Sequence, residues 1–298
     1  MSEISGLKKT NQVGNRAIDV ARLNRLLAKG MLYFVAVGSV VILLSPIVWM
    51  LSTAIKTPSD VFAYPPMLIP EKPTFDNLAA QFSNGKVLRF MFNSAWVGVL
   101  TAIVSCGSAA GVAYALSRYK LIANQYILLF FMSAMAFPLP MMMISMYSIF
   151  VDLSLLNTYW SLVLGHTIVT MPVAVWILKN FFDQIPIEIE EAAFVDGASR
   201  FQIFIHVVLP MTRPGLAASA IYVFITSWNE MLFGLTFISD SEMRPLPSGI
   251  SAMFLSDFQG DWQNLMAMAT VVSIPVMLIF FLFQKSFLKG VTAGALKG

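Results

Sequence analysis

The sequence predicts an all-α membrane protein with six transmembrane helices, both termini in the cytoplasm and a helical hairpin on the inner side. Three observations predict this. Of the 298 residues, 57% are apolar and only 12% charged, about half the charged fraction of a soluble domain. The apolar residues fall into six stretches that reach the roughly 20 residues a helix needs to cross a bilayer. Lysine and arginine are shared very unequally between the segments that join those stretches.

A water-soluble fold has no means of hiding so much apolar surface. The stretches are continuous rather than alternating, which excludes a transmembrane β-barrel. A net charge of +3 gives no footing for nucleic acid. One cysteine, Cys106, permits no internal disulfide, and with His166 and His206 as the only histidines no metal cluster is suggested.

Taken in order, residues 1–15 read as disordered. Arg16–Lys29 reads either as a basic amphipathic helix on the inner membrane surface, with Val20, Leu23 and Leu27 on one side, or as a plain basic tail that sets orientation. The first span, Met31–Ser52, is too long for the core of a cleavable signal peptide. An outer loop, Thr53–Phe92, follows. It is broken by Pro58, Pro65, Pro66, Pro70 and Pro73, a density that denies regular helix. The remaining spans are Asn93–Leu116, Tyr126–Phe150, Tyr159–Phe181, Gly215–Ile238 and Leu265–Phe287. The second carries Gly107 and Gly111, a small-residue face that lets helices approach closely. Pro138 and Pro140 break the third span, Pro172 the fourth and Pro275 the sixth. The last outer loop, Ser239–Asn264, carries Asp240, Glu242, Asp257 and Asp261 against Arg244 alone. The domain reading is thus a cytoplasmic tail and interfacial helix over 1–30 and a transmembrane domain over 31–298. Within it lie an inner loop at 182–212 and a C-terminal tail at 286–298.

With the N-terminus inside, only Lys56, Lys72, Lys86, Arg89 and Arg244 lie outside, and the other fourteen of the 19 basic residues lie in the cytoplasm. The reverse orientation would export the fourteen, against the positive-inside rule.

The inner loop is where chemistry concentrates. Pro186 suits a helix's first turn, and Glu188, Glu190 and Glu191 suit its positive end. Gly197 permits the turn that ends that helix. Ser199 with Gln202 three residues on is a capping box for a second helix, and Pro210 marks its end. Ala192 and Ala193 offer a surface on which a partner can pack closely. Inside the fifth span, Glu230 costs about 2.5–3.5 kcal/mol on insertion scales. Something must offset it: water in a cavity, a partner side chain or the hydroxyls of a solute. Asn229 beside it both donates and accepts hydrogen bonds. Solute contact and a structural ion pair are both open for Glu230. Tyr222 and Trp176 suit either stacking on a sugar or packing, and His166 reads as a hydrogen-bonded packing residue.

Glu191-Ala192-Ala193, three residues, Gly197, nine residues and Val207-Val208-Leu209-Pro210 resemble the EAA loop of ABC importer permeases, with Val207 in place of Ile. The tail Lys289–Gly298, Trp228-Asn229-Glu230 and Asp261-Trp262 are similar to the MalG-like carbohydrate branch. The resemblance implies a type I permease fold in the inner membrane, paired with a second permease, a paralogue in that branch. Two ATP-binding cassette subunits would sit beneath the pair, and a soluble binding protein would deliver solute from outside. This chain would then be a transport subunit rather than an enzyme. It would bind no cofactor, ATP and Mg being held by partners, in keeping with the lack of a Gly-x4-Gly-Lys-Ser/Thr loop. The resemblance further implies that Glu190, Glu191, Ala192, Ala193, Asp196, Gly197, Leu209 and Pro210 couple to the ATPase. It makes Thr292, Gly294 and Lys297 a second contact, and Trp228, Asn229, Glu230 and Tyr222 candidates for the solute path. Rival readings are an ion-gradient-driven secondary transporter, a membrane enzyme, and a permease of the same family for polyols or glycerol phosphates. The sequence shows no internal repeat between the two halves, few acids in the spans and no convergent catalytic cluster.

Overall fold

The computed structural model describes the backbone of residues 3–119, 124–257 and 261–295, and the side chains within them except residues 3–25, 125, 254–257 and 283–295. Every regular element among the described residues is a helix. The chain opens with α1 (Glu3–Ala54), which runs unbroken through the stretch expected to be disordered and the stretch expected to form a separate surface helix. No proline occurs before Pro46, so nothing in the backbone chemistry forces a stop there.

The proline-rich outer loop has only the short α2 (Pro58–Val61) until its last proline, after which α3 (Asp76–Ser83) forms. Asn77 on α3 donates to the carbonyls of Ala54 and Lys56 and ties the loop back to α1. α4 (Gly85–Arg118) starts earlier than the expected Asn93, because the Asn84 side chain caps it by accepting from the backbone of Lys86 and Val87. The expected third span is two helices, α5 (Asn124–Ser133) and α6 (Leu139–Asp152), bent by 99°. Pro138 sits extended between them (ψ 126°) and Pro140 lies in the first turn of α6. α7 (Tyr159–Phe182) ends within one residue of expectation and continues through Pro172.

The inner loop holds α8 (Ile187–Val195), α9 (Arg200–Ile203), a π-helical stretch over Phe204–Val208 and α10 (Leu209–Met211). α11 (Arg213–Asn229) leaves the Arg200–Met211 segment at 78°. The expected continuous fifth span is broken: Glu230 is extended (ψ 130°), and α12 (Leu232–Phe237) resumes after it. α13 (Leu246–Asp257) occupies part of the acidic last outer loop, and α14 (Trp262–Ala295) closes the chain, continuous through Pro275. Among the described residues, four helices are long and apolar enough to cross a bilayer unbroken (Leu26–Ala54, Gly85–Arg118, Tyr159–Phe182 and Trp262–Leu282). The number is up to six if the bent pairs Tyr126–Ala136 with Leu139–Asp152 and Arg200–Met211 with Arg213–Asn229 each count as one span, the second of which takes in the inner-loop segment before α11.

Polar pairs, of which Ser105–Thr170 is buried, follow the register of the central helices. The Tyr159 hydroxyl donates to Asn93 Oδ1 at 2.9 Å, Ser105 pairs with Thr170 at 3.1 Å, and Ser117 donates to Asp183 at 2.6 Å. The near-constant sequence offset of these pairs, 66, 65 and 66 residues, means that α4 and α7 run parallel and in register. α11 packs antiparallel across both. Its start meets α7 at Gly215 against Phe181, its end meets α7 at Ser227 against His166, and Phe224 lies on Gly98 of α4. A Cβ at Gly98 would stand 2.9 Å from the Phe224 ring, so Gly98 is the glycine that lets α4 and α11 approach. Gly107 and Gly111, the small-residue face expected to let helices approach, are open within this chain: a Cβ at either would meet nothing within 4 Å. They face out of this chain. α1 packs along α14, and its apolar residues from Leu26 to Leu44 stay largely exposed, as suits lipid or another chain.

Candidate functional site

The inner hairpin is built by local chemistry. α8 begins at Ile187, just after Pro186, and carries Glu188 and Glu190 in its first turn. It ends in a Schellman turn: Ala198 N–H bonds Ala193 O and Gly197 N–H bonds Phe194 O, both at 3.0 Å. Gly197 holds φ +89°, a left-handed value that costs a side-chain-bearing residue about 1–2 kcal/mol. The Ser199–Gln202 capping box then starts α9, with both reciprocal bonds formed. Pro210 does not end the second helix. The ladder widens ahead of it, and Leu209 N–H reaches back to Phe204 O. Proline has no N–H and its ring crowds the carbonyl four residues back, so a wider turn accommodates it.

The hairpin has two faces. Turned inward are Ile189 and Ala193 of α8, with Ile203, Val208 and Leu209 beyond the turn. They pack on Leu116 of α4 and on Leu178 and Phe182 of α7. Glu190 also turns inward. Its Oε1 accepts from Arg118 Nε and its Oε2 from the Tyr114 hydroxyl at 2.7 Å. Pair members Arg118 and Glu190 are only 10% and 11% exposed. Arg118 also donates to Ile185 O at 3.2 Å and to Ser117 Oγ at 2.9 Å, and Ser117 and Lys179 both bond Asp183. Removing one member of a buried pair of this kind costs about 3–5 kcal/mol. Glu190, expected among the ATPase-coupling residues, has both carboxylate oxygens bonded within this chain.

Turned outward are Ile187, Glu191, Ala192, Val195, Asp196 and Gly197, all exposed. With them stand Phe194 and Phe201 at 59% and 73%, and Val195 is 85% exposed. Exposed aromatics at the inner end of a membrane protein are not covered by the acyl region and invite a protein partner. Sequence reasoning missed Phe194, Val195 and Phe201. The available signal was that the hairpin carries more apolar residues than one inward face can bury. Between this surface and the end of α4 lies a depression of about 470 Å³ whose polar rim includes Tyr114, Arg118, Glu190, Glu191 and Arg200. Of the tail residues, Thr292 and Gly294 lie in α14 with side chains outside the described residues, and Lys297 lies outside them altogether.

The intramembrane candidates separate. Glu230 accepts from the backbone N–H groups of Leu232 at 2.6 Å and Phe233 at 2.9 Å, and stands 3.5 Å from His166 Nε2. The other ring nitrogen of His166 pairs with Ser227 Oγ at 2.9 Å. The first turn of α12 thus offsets the charge, and the expected packing role of His166 fits this geometry. Trp228 and Asn229 share a cavity of about 440 Å³ with Leu246, Pro247 and Ser273, between α11, α13 and α14. Trp228 stacks on Phe224 with centroids 5.6 Å apart. Tyr222 lines a different cavity, beside Phe137 and Pro172. The four residues grouped from sequence are not one constellation.

Residues 103–293 match the family described as "Binding-protein-dependent transport system inner membrane component". The chain is 33% identical to the sulfoquinovosyl glycerol transport system permease protein SmoH of Agrobacterium fabrum, over 86% of this chain and 89% of that one. It is 31% identical to the trehalose/maltose transport system permease protein MalG of Thermococcus litoralis, covering 88% and 95%. It is 32% identical to the diacetylchitobiose uptake system permease protein DasC of Streptomyces coelicolor, covering 86% and 92%. Its fold matches a chain of a bacterial ABC transporter that imports the acidic polysaccharide alginate, with TM-score 0.69 at 22% identity, over 87% of this chain and 96% of that chain.

Proposed function

This chain belongs to the family of binding-protein-dependent transport system inner membrane components, and we propose that it carries a sugar, driven through the hairpin Ile187–Met211. It is a non-catalytic, multi-pass permease subunit of an ABC importer in the inner membrane. Permeases of this family work with ATPase subunits and a binding protein.

The observation that carries the driving step is the outward face of the hairpin. Val195, Phe194 and Phe201 stand exposed beside Glu191 and Asp196, on an end of the molecule that the basic residues assign to the cytoplasm. An apolar knob rimmed by the carboxylates of Glu191 and Asp196 and by Arg200, whose guanidinium lies over the Phe194 ring, suits a groove with polar walls of mixed charge. ATP and its magnesium sit in the ATPase subunits. Their closure pushes the knob, and the spans rock between inward- and outward-open states.

For the cargo, the relatives above are named for sugars or sugar glycosides. The cavity at Trp228, Asn229 and Ser273 supports a neutral, hydroxylated solute. Asn229 Oδ1 and the Ser273 hydroxyl oxygen, whose donors already bond Ile225 O and Ala269 O, offer acceptors to solute hydroxyls, and the buried Trp228 indole, stacked on Phe224, backs the cavity. Glu230 stays out of the solute's way because its oxygens are already engaged. The second permease is a paralogue. The ligand retained by the importer's own binding protein, released by denaturation and identified by mass spectrometry, tests the cargo. A mono- or oligosaccharide is expected. A metal, an amino acid or a glycerol phosphate would overturn the sugar reading and leave the importer assignment standing.

A further inference from the structure

We propose that Arg118 is the positioning residue that makes the hairpin and α4 one rigid body, so that motion imposed on the hairpin is delivered to the central helices. The proposal rests on the reading of the hairpin as the ATPase contact and adds the route by which force leaves it.

The hairpin is covalently joined to α7 before it and α11 after it, and neither junction is continuous helix. Residues 183–186 between α7 and α8 form no helix, and Thr212 breaks the chain where α11 leaves at 78°. Pushed on its outward face, a hairpin held only by these links would swivel. α4 has no covalent link to it, yet α4 supplies the polar grip. Tyr114 and Arg118 lie one helical turn apart on α4 and hold the two oxygens of Glu190, one each. Arg118 reaches past the pair to Ile185 O, at the swivel itself, and Ser117 next to it bonds Asp183, which Lys179 holds from α7. One guanidinium therefore spans α4, the link and α8. Aromatic packing reinforces the grip: the Tyr114 ring lies 4.8 Å from Phe204 and 5.9 Å from Phe182. α4 is in turn registered on α7 along its length by the Asn93–Tyr159 and Ser105–Thr170 pairs. A displacement entering at Val195 thus reaches the outer end of the bundle through packed, bonded groups rather than through loops. Glu190 and Glu191 divide the work: adjacent positions on a helix point about 100° apart, so one carboxylate grips inward and its neighbour faces the partner.

The test uses the assembled importer in proteoliposomes, with Cys106 replaced by alanine. Spin labels are placed at Glu188→Cys on the hairpin and Leu88→Cys near the outer end of α4, both at exposed positions, and distances are measured without nucleotide and after trapping with ATP and vanadate. With Arg118 present, the hairpin-to-α4 distance is expected to stay the same in the two states. In Arg118→Gln and Glu190→Gln the hairpin should shift relative to α4 on trapping, and the charge-exchanged pair Arg118→Glu with Glu190→Arg should restore the fixed distance. Tyr114→Phe, which removes one hydroxyl, should give a smaller shift and keeps the test alive if the charge variants fail to assemble. A hairpin that shifts against α4 in the parent protein, or a distance that stays fixed in all three single variants, overturns the joint. A separate label at Val195→Cys reports on the underlying reading. If its environment is unchanged by trapping in the parent, the ATPase contact is wrong and the joint falls with it. If it changes while the joint variants behave as the parent, only the joint is wrong.

Discussion

Gly197 serves two purposes that substitutions can separate. Its φ of +89° is required by the turn between α8 and α9, and its missing side chain leaves open space on the outward face. Asparagine tolerates the left-handed region, whereas arginine does not and adds bulk. Within the chain nothing stands within 4 Å of a Cβ at this position, so neither side chain clashes, and the backbone strain of about 1–2 kcal/mol falls mainly on arginine. If the residue only makes the turn, Gly197→Asn should transport normally. If close approach of the ATPase also matters, both Gly197→Asn and Gly197→Arg should hydrolyse ATP without proportionate uptake, measured as solute moved per ATP, with Arg the worse. Glu230 makes the opposite kind of prediction. Its oxygens cap the first turn of α12, so Glu230→Ala leaves two backbone N–H groups and His166 without their acceptor, at a cost of about 1–3 kcal/mol. Thermal unfolding of the detergent-solubilised importer should move down while the apparent affinity for solute holds. A changed affinity at unchanged stability would return Glu230 to the solute path. Composition alone marked Glu230 as a charge needing compensation. It gave no sign that the compensation was a break in the helix, because Leu232 and Phe233 look like ordinary span residues and only their backbone is used.

At the scale of elements, legibility followed the range of the interactions. The hairpin's start, turn and second cap were readable because Pro186, Gly197, Ser199 and Gln202 act on backbone within three residues of themselves. The α4–α8 grip was not, since its partners are 72 and 76 residues apart, and Arg118 looked like one more cytoplasmic cation. Pro138 and Pro140 announced a break in the third span, but the 99° bend exceeds what proline geometry alone fixes. The small-residue rule pointed to Gly107 and Gly111, but the close approach within this chain is at Gly98. Gly98 meets Phe224, while Gly107 and Gly111 stay open. Gly98→Leu should therefore force α4 and α11 apart and destabilise the folded permease by about 1–3 kcal/mol, whereas Gly107→Leu should leave the isolated chain's stability nearly unchanged. Thermal melts of the two variants in detergent provide the comparison, and equal losses would contradict the packing described for α4.

The whole molecule is a parallel pair, α4 and α7, crossed by an antiparallel α11, with the polar steps between the outer and inner ends carried by named side chains. Hydropathy announced the four to six span candidates, and charge asymmetry carries the reading that puts the hairpin inside, because both follow from the cost of burying charge and backbone in lipid. The central claim is that nucleotide-driven motion enters at the outward face of α8. Disulfide or bifunctional thiol cross-linking from Val195→Cys, in a Cys106→Ala background and intact inner-membrane vesicles, tests it most directly. The account predicts an adduct between this chain and an ATPase subunit, formed only when the reagent has access to the cytoplasmic face. Labelling of Val195→Cys from the outer face alone, with no adduct to the ATPase, would contradict it.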